Sequence, residues 1–151
     1  MTDSFPGDWP KVVWRGATVP AMMRPMPGGS LPIAVLDDEA GFRQALARLL
    51  KVNGFAAELF ANGHDLLAAL ARQPYHCLLL DLHMPGLAGF DVLTVIQERK
   101  LRLPVIVITG YDQPGTKERA QVLGAADYLL KPLDETALLA ALAAASDHTA
   151  S

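Results

Sequence analysis

From residue 31 onward the chain alternates two apolar patterns. One is a short, unbroken apolar run: Ile33-Ala-Val-Leu36, Cys77-Leu-Leu-Leu80, Val105-Ile-Val-Ile108 and Tyr128-Leu-Leu130. Such runs, rich in Val, Ile and Leu and bounded by turn residues, read as fully buried parallel strands. The other pattern has helical spacing. Phe42, Ala45, Leu46, Leu49 and Leu50 recur at i, i+3, i+4, i+7 and i+8, which predicts a helix over 39–53 with one face on a core. Asn53-Gly54 supplies its stop. The same reading gives strands at 32–36, 56–60, 77–80, 105–108 and 127–130. Helices follow at 39–53, 64–72, 89–99, 114–123 and 134–146. The fourth helix is the least apolar. Five strand–helix units in strict alternation predict an α/β fold, a parallel sheet with helices on both faces.

Each of four strands ends on a polar residue. Ile33–Leu36 leads into Asp37 and Asp38, the run ending at Leu80 into Asp81, the run ending at Ile108 into Thr109, and the run ending at Leu130 into Lys131. Ligand sites of open parallel sheets lie beyond the carboxyl ends of the strands, where the strand order reverses. The strand ends therefore deliver three carboxylates, a hydroxyl and an ammonium to one crevice. Three acids together call for a hard divalent cation. The Lys and Thr call for an anionic oxygen group, of which phosphoryl fits best.

Composition narrows the class without changing this picture. The 151 residues suit one domain, or one domain plus a tail, and 51% of them are apolar. Residues 1–30 stand apart, with five prolines, four glycines and both tryptophans, Trp9 and Trp14; they read as a flexible leader. The leader carries three basic and two acidic residues, leaving ten basic and fourteen acidic in the rest. No basic block is present, so direct nucleic-acid binding lacks its electrostatic footprint. The single cysteine, Cys77, lies in a core strand and has no internal disulfide partner, which fits a reducing compartment. No apolar stretch approaches a membrane span and no signal peptide is evident, so a cytoplasmic location is expected. The folded unit is expected over 31–147, with 148–151 as a tail.

The motifs V-L-D-D-E (35–39), L-L-L-D-L-H-M-P-G (78–86), V-I-T-G (107–110) and A-D-Y-L-L-K-P-L (126–133) together resemble the receiver domain of two-component response regulators. The wording of the second and third is similar to the nitrogen-fixation-type branch. The resemblance covers about 31–146. It implies a five-stranded, doubly wound parallel sheet of flavodoxin-like order 2-1-3-4-5 with five helices. It implies that Asp81 accepts phosphoryl from a phosphohistidine, and that Mg²⁺ is held by Asp38, Asp81 and the backbone carbonyl of His83, with Asp37 acting through water. Mg²⁺ keeps several waters and takes few carboxylates, which suits this supply. Lys131 and Thr109 would contact the phosphoryl oxygens, and Gly110 would leave room beside them. A cis peptide before Pro132 is part of the same pattern.

The resemblance further implies a switch pair, Thr109 and Tyr128, acting on the surface of the fourth helix, fifth strand and fifth helix. His83 and Tyr111, two residues after Asp81 and Thr109, would tune phosphoryl lifetime. The implied partners are a histidine kinase or a histidine phosphotransfer protein and a downstream protein. A phosphorylation-dependent homodimer is compatible with it, and a membrane or nucleic-acid partner is not expected. Members of that branch often carry a C-terminal helix-turn-helix domain; this chain ends at Ser151, so a stand-alone receiver is expected.

Two rival readings compete with this one. A haloacid-dehalogenase-like, Mg²⁺-dependent phosphohydrolase also uses a strand-end Asp nucleophile, but it needs a second acid two residues on, and position 83 is His. A receiver-like adaptor that signals without phosphorylation has no use for an intact acid, Thr and Lys set. His64, His76 and His148 are read as surface or loop residues without metal-ligand spacing, and both Asn-Gly pairs as turn chemistry.

Overall fold

The computed structural model describes residues 31–83 and 89–150, with side chains as far as 145. The leader 1–30, the Met84-Pro85-Gly86 portion of the second motif and Ser151 lie outside the described residues. The elements are β1 (Ile33–Leu36), α1 (Ala40–Val52), β2 (Ala57–Phe60), α2 (Gly63–Leu70), β3 (Cys77–Leu80), α3 (Gly89–Glu98), β4 (Val105–Thr109), α4 (Thr116–Val122), β5 (Asp127–Leu130) and α5 (Glu135–Ala150). All strand pairs are parallel, in the order β2-β1-β3-β4-β5.

Strand alternation divides the core in two, because successive side chains leave opposite faces of a sheet. Ile33, Val35, Cys77, Leu79, Ile106 and Ile108 face α1 and α5, where they meet Leu46, Leu50, Leu138 and Leu142. Ala34, Leu36, Leu78, Leu80, Val105 and Val107 face α2, α3 and α4, where they meet Leu66, Leu70, Val92, Leu93 and Ala120. The three central strands are fully buried, as unbroken apolar runs require.

The run at β5 is not buried as expected. Leu130 is 49% exposed and Tyr128 half-buried, because β5 is an edge strand with a neighbour on one side only. The other edge strand, β2, buries only Phe60.

Helix ends follow local chemistry. α1 stops where Gly54 adopts φ +88, so that the N–H groups of Gly54 and Phe55 reach the carbonyls of Lys51 and Leu50. Asn62 does more than turn the chain: its Oδ1 accepts the N–H of Asp65 at 2.9 Å and caps α2. Two expectations on the helices are corrected. Ala45 is exposed, so the buried stripe of α1 is narrower than its spacing indicated. α5 continues to Ala150, because nothing in its alanine-rich end stops it. His76 lies in the loop before β3, as expected, and is half-buried there; its backbone N–H donates to the Pro32 carbonyl and its ring faces Phe55. Among the described residues no helix is long and apolar enough to cross a membrane.

Candidate functional site

The register places the polar residues side by side. Leu36 pairs with Leu80, and the N–H of Asp81 donates to the carbonyl of Leu36 at 2.9 Å, so Asp37 and Asp81 leave adjacent strands at one level. Because order reverses between β1 and β3, the helices after these strands go to opposite faces and open a crevice there. Thr109 pairs with Leu130, and the N–H of Lys131 donates to the carbonyl of Thr109, which brings the last two members to the same edge.

One carboxylate oxygen from each of Asp37, Asp38 and Asp81 lies within 4.8 Å of the other two. Asp37 and Asp81 are buried and Asp38 is exposed. The Lys131 ammonium lies 2.8 Å from Asp37 Oδ2 and 4.1 Å from the centre of the Phe42 ring, so in this state it compensates the acid cluster. Asp37 Oδ1 accepts the N–H of Glu39, and Arg43 Nη1 donates to the Asp37 carbonyl oxygen at 2.7 Å. Both oxygens of Asp37 are thus engaged. Those of Asp81 are engaged only by the N–H of His83, at 3.1 Å to Oδ1, among the bonds of the described residues. Three converging carboxylates with one exposed member fit a hard divalent cation that keeps part of its water shell.

Asp81 is pushed above the usual carboxylate range. Burial is the main cause; the hydrogen bond from His83 and the Lys131 charge oppose it, and Asp37 and Asp38 add to it. A carboxyl raised in the folded state costs stability wherever it is ionised there. The cost is absent below the ordinary carboxylate pKa, grows as pH rises from that value to the raised one, and is then constant. Asp81→Asn keeps the oxygen that accepts from His83 and removes the charge. We expect it to raise metal-free stability at neutral pH by about 1 kcal/mol, and the gain to fade as pH falls from the raised value to the ordinary carboxylate value, below which it is absent. Thermal melts across that pH range check this; a less stable Asn protein at neutral pH contradicts it.

Thr109 is fully buried, and its Oγ1 accepts the N–H of Tyr111 at 3.1 Å. An added Cβ at Gly110 would meet only the Lys131 side chain, at 3.5 Å, an ordinary contact. His83 and Tyr111 come together: their rings meet edge-on at 4.9 Å and His83 Nε2 donates to the Tyr111 carbonyl at 3.0 Å. Tyr128 lies further back on β5, its hydroxyl donating to Asp112 Oδ1 at 2.8 Å.

Gly89, Arg43 and Asp112 also shape the site and were not singled out from the sequence, and Phe42 was read there only as part of the first helix's core face. A Cβ at Gly89 would lie 2.5 Å from Leu82 Cα and 2.6 Å from the Asp81 carbonyl oxygen, so α3 starts directly against the phosphoacceptor candidate's backbone. The signal for Phe42 and Arg43 was present: four and five residues after Asp38, they sit one helical turn on and face back to the strand end.

The family described as the response regulator receiver domain matches residues 33–143. The transcriptional regulatory protein FixJ of Azorhizobium caulinodans is 36% identical over 121 residues, 80% of this chain and 57% of that protein. The DNA-binding transcriptional regulator NtrC of Salmonella typhimurium is 38% identical over 114 residues, 76% of this chain and 24% of that protein. The chain thus matches about half or less of the length of these relatives. The crystal structure of FixJ-N superposes with a TM-score of 0.74 at 32% identity, covering 79% of this chain and 95% of that one.

Proposed function

This chain belongs to the response regulator receiver domain family, and on that premise we propose that it accepts a phosphoryl group on Asp81 and passes the signal to a protein partner by a change of conformation. The family is a signalling domain and not a classical enzyme. The observation that carries the reading is the convergence of Asp37, Asp38 and Asp81 within 4.8 Å, beside an ammonium from the far strand.

The step is an in-line displacement. A carboxylate oxygen of Asp81 forms a bond to the phosphorus of a phosphohistidine; the P–N bond breaks, and the imidazole leaves with the electron pair and takes up a proton. Such transfer needs positioning and charge stabilisation more than covalent help from other groups. Asp38 and Asp81, with the carbonyl of His83, would hold Mg²⁺, which supplies neutralisation of the developing charge. Asp37, whose Oδ1 stays on the Glu39 N–H, acts through water. Lys131 turns from Asp37 to a phosphoryl oxygen, and Thr109 leaves the Tyr111 N–H for another. Tyr128 follows, remodelling the α4–β5–α5 surface that the partner reads. α4 buries only Ala120, is tied to α3 by Arg119 over the Phe90 ring and by Gln97 on the Val122 carbonyl, and leaves Val122 77% exposed, so its movement breaks few contacts. The donor is a histidine kinase or a phosphotransfer protein.

The rival hydrolase reading lacks its second acid: His83 lies at that place, with its ring on Tyr111. Asp38→Ala should weaken Mg²⁺ binding at least roughly tenfold, the loss that even an outer-shell partner causes. NMR shifts of the Asp81 amide during Mg²⁺ titration give the affinity, and an unchanged value contradicts the ligand assignment.

A further inference from the structure

We propose that Asp112 is a positioning residue that latches Tyr128 in the unphosphorylated protein, and that the Thr109 hydroxyl holds the latch closed. The proposal rests on the phosphoacceptor reading of Asp81. Two hydrogen bonds on one short loop carry it. Thr109 Oγ1 accepts the N–H of Tyr111 at 3.1 Å, and one residue on, Asp112 Oδ1 accepts the Tyr128 hydroxyl at 2.8 Å. The loop is further braced by Gln113 Nε2, which donates to the Tyr111 hydroxyl at 2.9 Å.

Tyr128 pairs in register with Val107 and not with Thr109, so the loop folds back from the end of β4 to reach it. Strand alternation puts Thr109 on the same sheet face as Val107 and Tyr128. The Tyr128 ring packs against the core on that face, while its hydroxyl is held at the surface. The ring therefore has an apolar body that can move within the core and a polar tip whose partner sets its position. The loop is also held at Tyr111, whose carbonyl accepts from His83 Nε2 at 3.0 Å, but beyond Tyr111 it has few contacts. Asp112 and Gln113 are exposed, and α4 begins after Gly115 without a side-chain cap.

These bonds couple the site to the ring. When the Thr109 hydroxyl turns to an anionic oxygen, Tyr111 N–H loses its acceptor, and the carboxylate one residue on loses the geometry that held the phenol. Coupling is reciprocal: whatever opens the Tyr128–Asp112 bond must favour the state in which Thr109 engages the anion. A group that only stabilised the fold would have no such effect on anion affinity.

The test uses the full chain with beryllofluoride and Mg²⁺ as the phosphoryl mimic. Affinity is read from NMR shifts for wild type, Asp112→Ala, Tyr128→Phe and the double variant, with Asp81→Asn as the control for specific binding. Asp112→Ala should bind the mimic about threefold tighter or more, as loss of one hydrogen bond specific to the unbound state requires. Tyr128→Phe keeps the ring and cuts the same bond, so the double variant should bind no tighter than Asp112→Ala alone. Unchanged or weaker binding by Asp112→Ala, beside normal binding by wild type, overturns the latch and leaves the phosphoacceptor reading standing. A wild-type protein that does not bind the mimic, or binds it as well as Asp81→Asn does, overturns both.

Discussion

Lys131→Met is expected to destabilise the metal-free protein by about 2–3 kcal/mol and to abolish phosphorylation-dependent change. The ammonium is the direct partner of Asp37, at 2.8 Å, and the Asp37 side chain is only 3% exposed. Removing it leaves a buried carboxylate facing Asp81 and Asp38 without its counter-charge. The nearby Arg43 does not replace it, because its guanidinium is spent on the Asp37 carbonyl oxygen and not on the carboxylate. Lys131 itself is 19% exposed, which keeps the estimate at the lower end of what a broken buried pair costs. Mg²⁺ should restore part of the lost stability, since a divalent cation answers the same repulsion. It should not restore the response to a phosphoryl mimic, because no ammonium is left to reach the phosphoryl oxygen. Urea unfolding with and without Mg²⁺ measures the first claim and NMR with beryllofluoride the second. A midpoint equal to wild type in metal-free buffer contradicts the account of Lys131.

Gly89→Ala is the second large effect, and it runs against helix propensity. Alanine inside a helix gains about 1 kcal/mol over glycine. At Gly89 the new Cβ would lie 2.5 Å from Leu82 Cα and 2.6 Å from the Asp81 carbonyl oxygen, both backbone atoms. The strand end or α3 must move, at a cost of about 1–3 kcal/mol or more for forced overpacking. The moving part carries Asp81, so Mg²⁺ affinity should fall together with stability. Gly41→Ala is the matched control: it is exposed in α1, with nothing within 4 Å of an added Cβ, and should be stabilising. Equal effects of the two substitutions would show that α3 does not press on the Asp81 backbone.

The legible part of this fold is the part that burial writes into sequence. β1, β3 and β4 are covered on both faces, so they appear as unbroken apolar runs, and their ends fell within a residue of those expected. The edge strands are written more faintly: Leu130 and Leu59 look like core residues in sequence and are substantially exposed in place. The candidate site was legible because each member follows a buried run, which fixes its level along the sheet. That Lys131 rests on Asp37 was not legible, since a lysine's resting partner depends on distances across the two strands between β1 and β5. Gly89 was hidden for a different reason: a glycine beginning a helix looks like an ordinary turn residue until the backbone it presses on is located. Asp112 was hidden because its partner lies sixteen residues on, across a loop whose path sequence does not fix.

If Asp81 alone accepts phosphoryl, intact-mass spectrometry after incubation with a small phosphodonor and Mg²⁺ will show a single added phosphoryl group on the wild-type chain, lost on removal of Mg²⁺ and absent from Asp81→Ala. A comparable adduct on Asp81→Ala, or none on wild type, would contradict it.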